Sequence, residues 1–298
     1  MKKNKLISTA DLSLVLVAII WGTGFIATEY AIKSGMGTSL IMALRFTIAA
    51  VTLLIFCLKE LKQIDKKTIL HGSVAGGILF LGFYSQTFGQ AHTNVSNSAF
   101  LTATNVVMVP FIVWIISRKS PGLKTYILAF TTLIGIGILT LKFDGSGFSL
   151  GMGDVMTLFC ALCFAMHIAY LGIFGKNLNA KLLAFMQLFV AAIISIATLL
   201  LFDIDTIDMQ VISKGLLPIL YLAIFSTCLC YFIQTKAQQH TNPSKAGIIL
   251  STEGLFGSLF SVVFGLEPLT INIVIGGLII LNSVILMESN LKIFKKNK

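Results

Sequence analysis

Apolar runs of about 20 residues recur along nearly the whole of this chain, each long enough to cross a hydrocarbon core of about 30 Å as a helix. Of the 298 residues 56% are hydrophobic and only 11% are charged. An ordinary soluble domain carries about 25% charged residues, so the chain holds too little charge to cover a water-facing surface. The pattern predicts an all-α integral membrane protein with ten spans: 12–32, 39–58, 70–90, 96–117, 124–142, 152–173, 181–201, 215–235, 245–265 and 271–289. Connections between them are short and leave no room for a separate extramembrane domain. The N-terminal MKKNK precedes an apolar run too long for a signal peptide and without an A-x-A-type cleavage site, so that run reads as the first span.

The net charge of +10 could suggest nucleic acid, but its distribution does not. Eighteen of the 22 basic residues lie before the first span, after the tenth, or in the loops after the even-numbered spans. The other loops hold only Lys33, Lys142 and Lys214, and Arg45 sits inside a span. Such alternation follows the positive-inside rule and predicts a multi-pass protein of the cytoplasmic membrane with both termini cytoplasmic. Missing or inventing one span would invert the alternation from that point on.

The polar vocabulary argues against catalysis. His71, His92, His167 and His240 are scattered, no H-E-x-x-H occurs, and no carboxylate pair is apparent, so an integral-membrane enzyme is the weaker reading. Cys160-x-x-Cys163 lacks a second pair or histidines at ligand spacing and reads as apolar packing. Neither a metal nor a cofactor is expected.

A repeat organises the rest. HTNVSNSAFLTATN (92–105) reappears as HTNPSKAGIILSTE (240–253), 148 positions on. The same shift aligns FYSQTFGQAHTNVS (83–96) with YFIQTKAQQHTNPS (231–244) and keeps Gln86, Thr87 and Gln90 in register with Gln234, Thr235 and Gln238. Farther upstream an offset of 142 sets Arg45 on Gln187. Two five-span units follow, over 10–142 and 151–289. Five is odd, so the second unit enters from the opposite face, the inverted repeat of secondary transporters with a midplane site.

The shift also picks out a site. It pairs Asn105 with Glu253, the only acidic residue deep inside a span, and each lies about 12–14 Å from opposite membrane faces. An ionisable group at that depth is costly and marks function by default, although a protonated hydrogen-bonder is the bland reading. Thr102 and Asn105 on the fourth span and Ser251 on the ninth belong to faces of small and polar residues that either line a cavity or allow close packing. Phe83 and Gln86 share a face of the third span with Gln90, echoed by Tyr231, Gln234 and Gln238 on the eighth. Trp21, in WGTGF, offers a flat apolar wall between close-packing glycines. His167 and Glu253 are candidates for proton coupling. Arg45 and Glu29 lie at similar depth and are expected to neutralise each other. Asp154 reads as a helix-start carboxylate with no further role.

With WGTGF, ALRFTIAA, SNSAFLTATNVVMVPFIVWII and SKAGIILSTEGLFGSLFSVVFGLEPLT, the chain resembles the EamA family of the drug/metabolite transporter superfamily over nearly its whole length as two repeats. The resemblance implies a ten-helix bundle with its cavity between the halves, lined by spans one, three, four, six, eight and nine. It also implies export of amino acids or related metabolites. The expected function is therefore a secondary transporter working by alternating access, with a small-molecule substrate, surrounding lipid, possible proton coupling, no nucleic acid, and a monomeric or homodimeric state. One carboxylate among aromatic walls leaves a second option, a proton-coupled exporter of lipophilic or quaternary ammonium cations.

Overall fold

The computed structural model describes residues 8–93, 95–140, 151–265 and 268–288. They form ten spans. The first three are α1 (Thr9–Lys33), α2 (Thr38–Cys57) and α3 (Lys66–His92). The fourth is divided into α4 (Val95–Ala103) and α5 (Asn105–Ser117), and the fifth is α6 (Leu123–Thr140). In the second half come α7 (Met152–Phe174), α8 (Ala180–Phe202), and an eighth span of α9 (Met209–Tyr221), a π-helical stretch Leu222–Leu229 and α10 (Cys230–Gln238). The ninth is divided into α11 (Pro243–Leu250) and α12 (Glu253–Val263), and α13 (Ile271–Glu288) is the tenth.

Helix starts follow local chemistry. Asp65 accepts the Thr68 amide at 2.8 Å ahead of α3, and Asn179 does the same for Lys181 at 3.0 Å ahead of α8. Asn242 caps α11, with Pro243 in the first turn, where a missing N–H costs nothing. Pro218 sits inside α9 and the π-helical stretch begins four residues later; a proline inside a helix disturbs the bonding ladder at that distance. The eighth span is consequently longer than the 215–235 expected.

The larger departure concerns the fourth and ninth spans, expected as unbroken helices. Each breaks at its midpoint, 148 residues apart. The Thr104 hydroxyl bonds the Leu101 carbonyl at 2.6 Å and the Thr104 amide bonds the same oxygen at 3.2 Å. Thr252 repeats this on Ile249, at 2.7 and 3.1 Å. A threonine hydroxyl that takes over a carbonyl three residues back tightens the turn and interrupts the α-ladder. Both breaks immediately precede the paired residues Asn105 and Glu253.

Large apolar side chains stand exposed around the outside, among them Phe56 at 68%, Leu201 at 75% and Leu217 at 79%. Inside lie Arg45, Glu253, His167, Gln187 and several threonines, all buried. A surface this apolar around a polar interior is the arrangement lipid demands. Seven helices, two of them assembled from consecutive pieces, are long and apolar enough to span a bilayer, and Leu123–Ile138 and Ile271–Met287 are shorter apolar ones. The halves pack on each other about a pseudo-twofold relation: α2 meets α8, α6 meets α13, and the contact of α3 with α7 is matched by that of α1 with the eighth span. Glycines set the closest approaches. A methyl on Gly22 would sit 2.7 Å from the Gly257 amide of α12, and one on Gly135 would sit 3.0 Å from the Gly276 carbonyl of α13. The fifth- and tenth-span glycines thus serve packing within the chain.

Candidate functional site

At the level of the two breaks a cavity of about 40 Å³ lies between the halves. That is room for about three waters at 10–15 Å³ each, so the space is narrow. One wall is aromatic. Trp21 of α1 stacks at a tilt on Tyr231 of α10, centroids 5.4 Å apart, and Phe83 of α3 meets both Tyr231 (5.8 Å) and Phe164 of α7 (5.0 Å) edge-on. The Trp21 indole N–H donates to the Ser226 carbonyl at 2.8 Å, tying α1 to the π-helical stretch.

Arg45 and Glu253 also line the cavity. Arg45 is 2% exposed, and its expected pairing with Glu29 does not form. Its Nε donates to Thr227 at 2.6 Å and its Nη2 to Ser226 at 3.3 Å, while the guanidinium lies 4.0 Å from the Phe83 ring centroid. Glu29 instead pairs with Lys33 at 3.1 Å and accepts from Gln90 at 3.4 Å. The physical reason is the packing of α2 on α8 and the π-helical stretch, where the hydroxyls of Ser226 and Thr227 take up the guanidinium, while Glu29 is engaged by Lys33 and Gln90. Equal depth on consecutive helices does not make neighbours.

Glu253, the first residue of α12, is 7% exposed and makes no hydrogen bond or ion pair among the described residues, with Arg45 or with any other group. A buried guanidinium and a buried carboxyl group thus share one cavity without pairing with each other. Polar atoms without partners among the described residues accompany them: the Asn105 Oδ1 and Gln234 Oε1 are buried and unbonded, on residues that line the cavity. Buried acceptors are rarely left so, and a ligand or water is their natural partner.

His167 lines the cavity as well, but its Nε2 is 2.7 Å from the Gln187 Oε1, which can only accept, and the Gln187 amide donates onward to Thr235 at 3.2 Å. Trp21, Phe83, Gln86, Asn105, Tyr231, Gln234 and Glu253 reach the cavity, whereas Thr102 and Ser251 do not. Thr102 is fully buried 3.5 Å from the Gln86 amide, and the Ser251 hydroxyl is spent on the Ile248 carbonyl at 2.8 Å. Both support the region of the helix breaks from behind. Sequence reasoning missed Arg45, Ser226 and Phe164, and span two was not expected at the site. The signal available for Arg45 was its status as the one basic residue outside a loop. Among the described residues no cluster of metal ligands occurs.

The chain is similar to known proteins in sequence and in fold. The model of the EamA-like transporter family matches residues 8–141 and again 151–289. A protein of Archaeoglobus fulgidus described as an uncharacterized transporter is 35% identical over 279 residues, which span 94% of this chain and 85% of that relative. One solved crystal structure shares the fold with a TM-score of 0.77 over 94% of this chain and 96% of its own, at 17% identity. With two broken-helix repeats enclosing a charged cavity, and both repeats matched in sequence, the chain belongs to the EamA-like transporter family and is a multi-pass membrane transporter.

Proposed function

We propose that this transporter moves small zwitterionic metabolites, amino acids first among them, out across the cytoplasmic membrane by alternating access. The observation that carries the reading is the pair Arg45 and Glu253: a buried guanidinium and a buried carboxyl group line one cavity without pairing with each other. A buried charge without a partner is expensive, and an amino acid brings both partners at once, its carboxylate for the guanidinium and its ammonium for Glu253. Asn105 and Gln234 offer their free carbonyl oxygens to the same ammonium. The aromatic wall of Trp21, Phe83 and Tyr231 receives the side chain. Export rests on the family resemblance, and the cytoplasmic placement of both termini on the positive-inside distribution of lysines. The repeat boundaries 10–142 and 151–289 frame the two halves that move, and Glu253 is the proton-coupling group, with His167 an accessory whose ring nitrogen is already engaged.

A second reading has its own observation, since Glu253 beside Trp21 and Tyr231 also suits a lipophilic or quaternary cation. Arg45 in the same cavity opposes that charge. Binding of amino acids, their methyl esters and their N-acetyl derivatives to the purified protein separates the two. The zwitterions are expected to bind at least about tenfold more tightly than either blocked form, about 1.4 kcal/mol. Esters that bind as well as the parent amino acids would shift the assignment to cations.

A further inference from the structure

The repeated HTN motif has a structural role that the cavity does not absorb. Thr241, in the second copy, donates to Asp11 Oδ1 at 3.0 Å. Thr93, in the first copy, donates to Asp154 Oδ1 at 2.7 Å. Each aspartate is the third residue of its helix at the start of a span, and each uses its second oxygen on its own cap, Asp11 Oδ2 accepting the Ser8 amide at 3.2 Å in a full capping box and Asp154 Oδ2 the Gly151 amide at 3.0 Å. The threonines are 148 residues apart and the aspartates 143, so the contact is one element of the repeat used twice. Successive spans run in opposite directions, which puts the two contacts at opposite ends of the bundle. Each joins the two halves: Asp11 of the first to Thr241 of the second, and Asp154 of the second to Thr93 of the first.

The ends are held differently. At the Asp11 end, Lys245 adds an ion pair to Asp11 Oδ2 at 2.9 Å, and Asp11 is 2% exposed. At the Asp154 end the backbones close in instead: a methyl on Gly153 would lie 2.7 Å from the His92 carbonyl carbon and 2.8 Å from the Gly89 oxygen. The corresponding positions at the first end are Ala10 and Ala237, which carry that methyl. At one end an ion pair joins the hydrogen bond, and at the other the backbones pack tightly around the Thr93–Asp154 hydrogen bond.

We propose that these two contacts are end-specific latches, Asp11 with Thr241 and Lys245 at one end and Asp154 with Thr93 at the other, and that exposure of the cavity at either end requires its own latch to break. The proposal rests on the alternating-access reading for its cycle, but its test reads each end directly. A carboxylate that loses a charge-assisted donor while still buried is destabilised in the closed arrangement, so weakening a latch favours opening at that end alone.

Spin labels at Thr9 and His240 report the Asp11 end, and labels at Met152 and His92, their repeat counterparts, report the other; all four positions are exposed. The full chain in lipid nanodiscs is measured with and without Lys245→Gln, Thr241→Val and Thr93→Val. Lys245→Gln and Thr241→Val are each expected to add a component longer by on the order of 5 Å to the Thr9/His240 distance, a typical one-turn displacement, with the Met152/His92 distance unchanged. Thr93→Val should do the mirror image. Thr241→Ser keeps the hydroxyl and should leave both distances as in the unaltered chain, which guards against a general packing defect. Equal loosening of both ends by any of these variants, or no change at the altered end, overturns the latches. If the variants act at their own ends while saturating amino acid moves neither distance in the unaltered chain, the latches stand and the alternating-access reading falls.

Discussion

Where the first repeat places Arg45 and Asn105, the second places Gln187 and Glu253. Several hydrogen bonds of the framework around these positions occur in both halves. Gln90 donates its amide to the Phe25 carbonyl at 3.0 Å, and Gln238 donates to the Ile168 carbonyl at 3.0 Å. Both broken helices turn on a threonine bonded three residues back. The charges, by contrast, occur once each: one repeat supplies the cation and the other the anion, and the neutral counterpart of each sits in the opposite half. Gln187 is not idle, because it holds His167 and Thr235. Duplication built a symmetric container, and departures from symmetry at two positions gave it a polarity that a dipolar solute can match.

The comparison breaks most visibly at Glu253. Glu253→Gln makes the second repeat resemble the neutral first at that position while keeping the shape. In liposomes with an imposed pH gradient, uphill accumulation is expected to fall to the level of protein-free vesicles, with substrate exchange retained in part. Exchange at the full unaltered rate would remove Glu253 from the ammonium site and leave it a proton carrier alone. Undiminished accumulation would leave it a structural carboxyl.

Arg45→Gln copies the second repeat onto the first and sharpens the comparison from the other side. Losing a charge-assisted contact to a substrate carboxylate costs about 1.5–3 kcal/mol, roughly ten- to hundredfold in affinity. The loss should be confined to substrates that carry a carboxylate, with the methyl esters bound as before. A uniform loss for zwitterions and esters would mean that Arg45 only shapes the cavity through Thr227 and Phe83.

These two positions also show what could be read in the sequence. Ten spans, the duplication and the pairing of Asn105 with Glu253 were legible, because apolar length and polar residues in register survive without knowledge of packing. Arg45 was read as a partner of Glu29 because depth can be counted along a helix, whereas the facing helix cannot. Its bonds go to Ser226 and Thr227, 181 and 182 residues away, on a π-helical stretch that nothing in the local pattern announced apart from Pro218. The helical spacing of Thr102 and Ser251 points to the cavity, yet neither lines it, since small polar residues at helical intervals serve packing and lining alike. The helix breaks escaped notice for a related reason. Threonine is tolerated within helices, and only the rotamer that returns its hydroxyl to the backbone turns it into an interruption.

The smallest expected effect tests the symmetric part of the comparison. Gln90→Met and Gln238→Met each remove one amide bond to a backbone carbonyl that also belongs to a helix, an interaction worth about 1 kcal/mol net. Each also removes a buried carbonyl oxygen that has no partner, which offsets part of the loss. The two variants should therefore lower the melting temperature slightly and by the same amount, because donor, acceptor type and 3.0 Å geometry are the same in both halves. Gln90 has one contact that Gln238 lacks, its amide standing 3.4 Å from Glu29. Adding Glu29→Gln to both variants removes that difference, so any inequality between them should vanish in the doubles. An inequality that persists would show that the two carbonyl contacts carry different loads, and that the repeat is symmetric in geometry but not in energy.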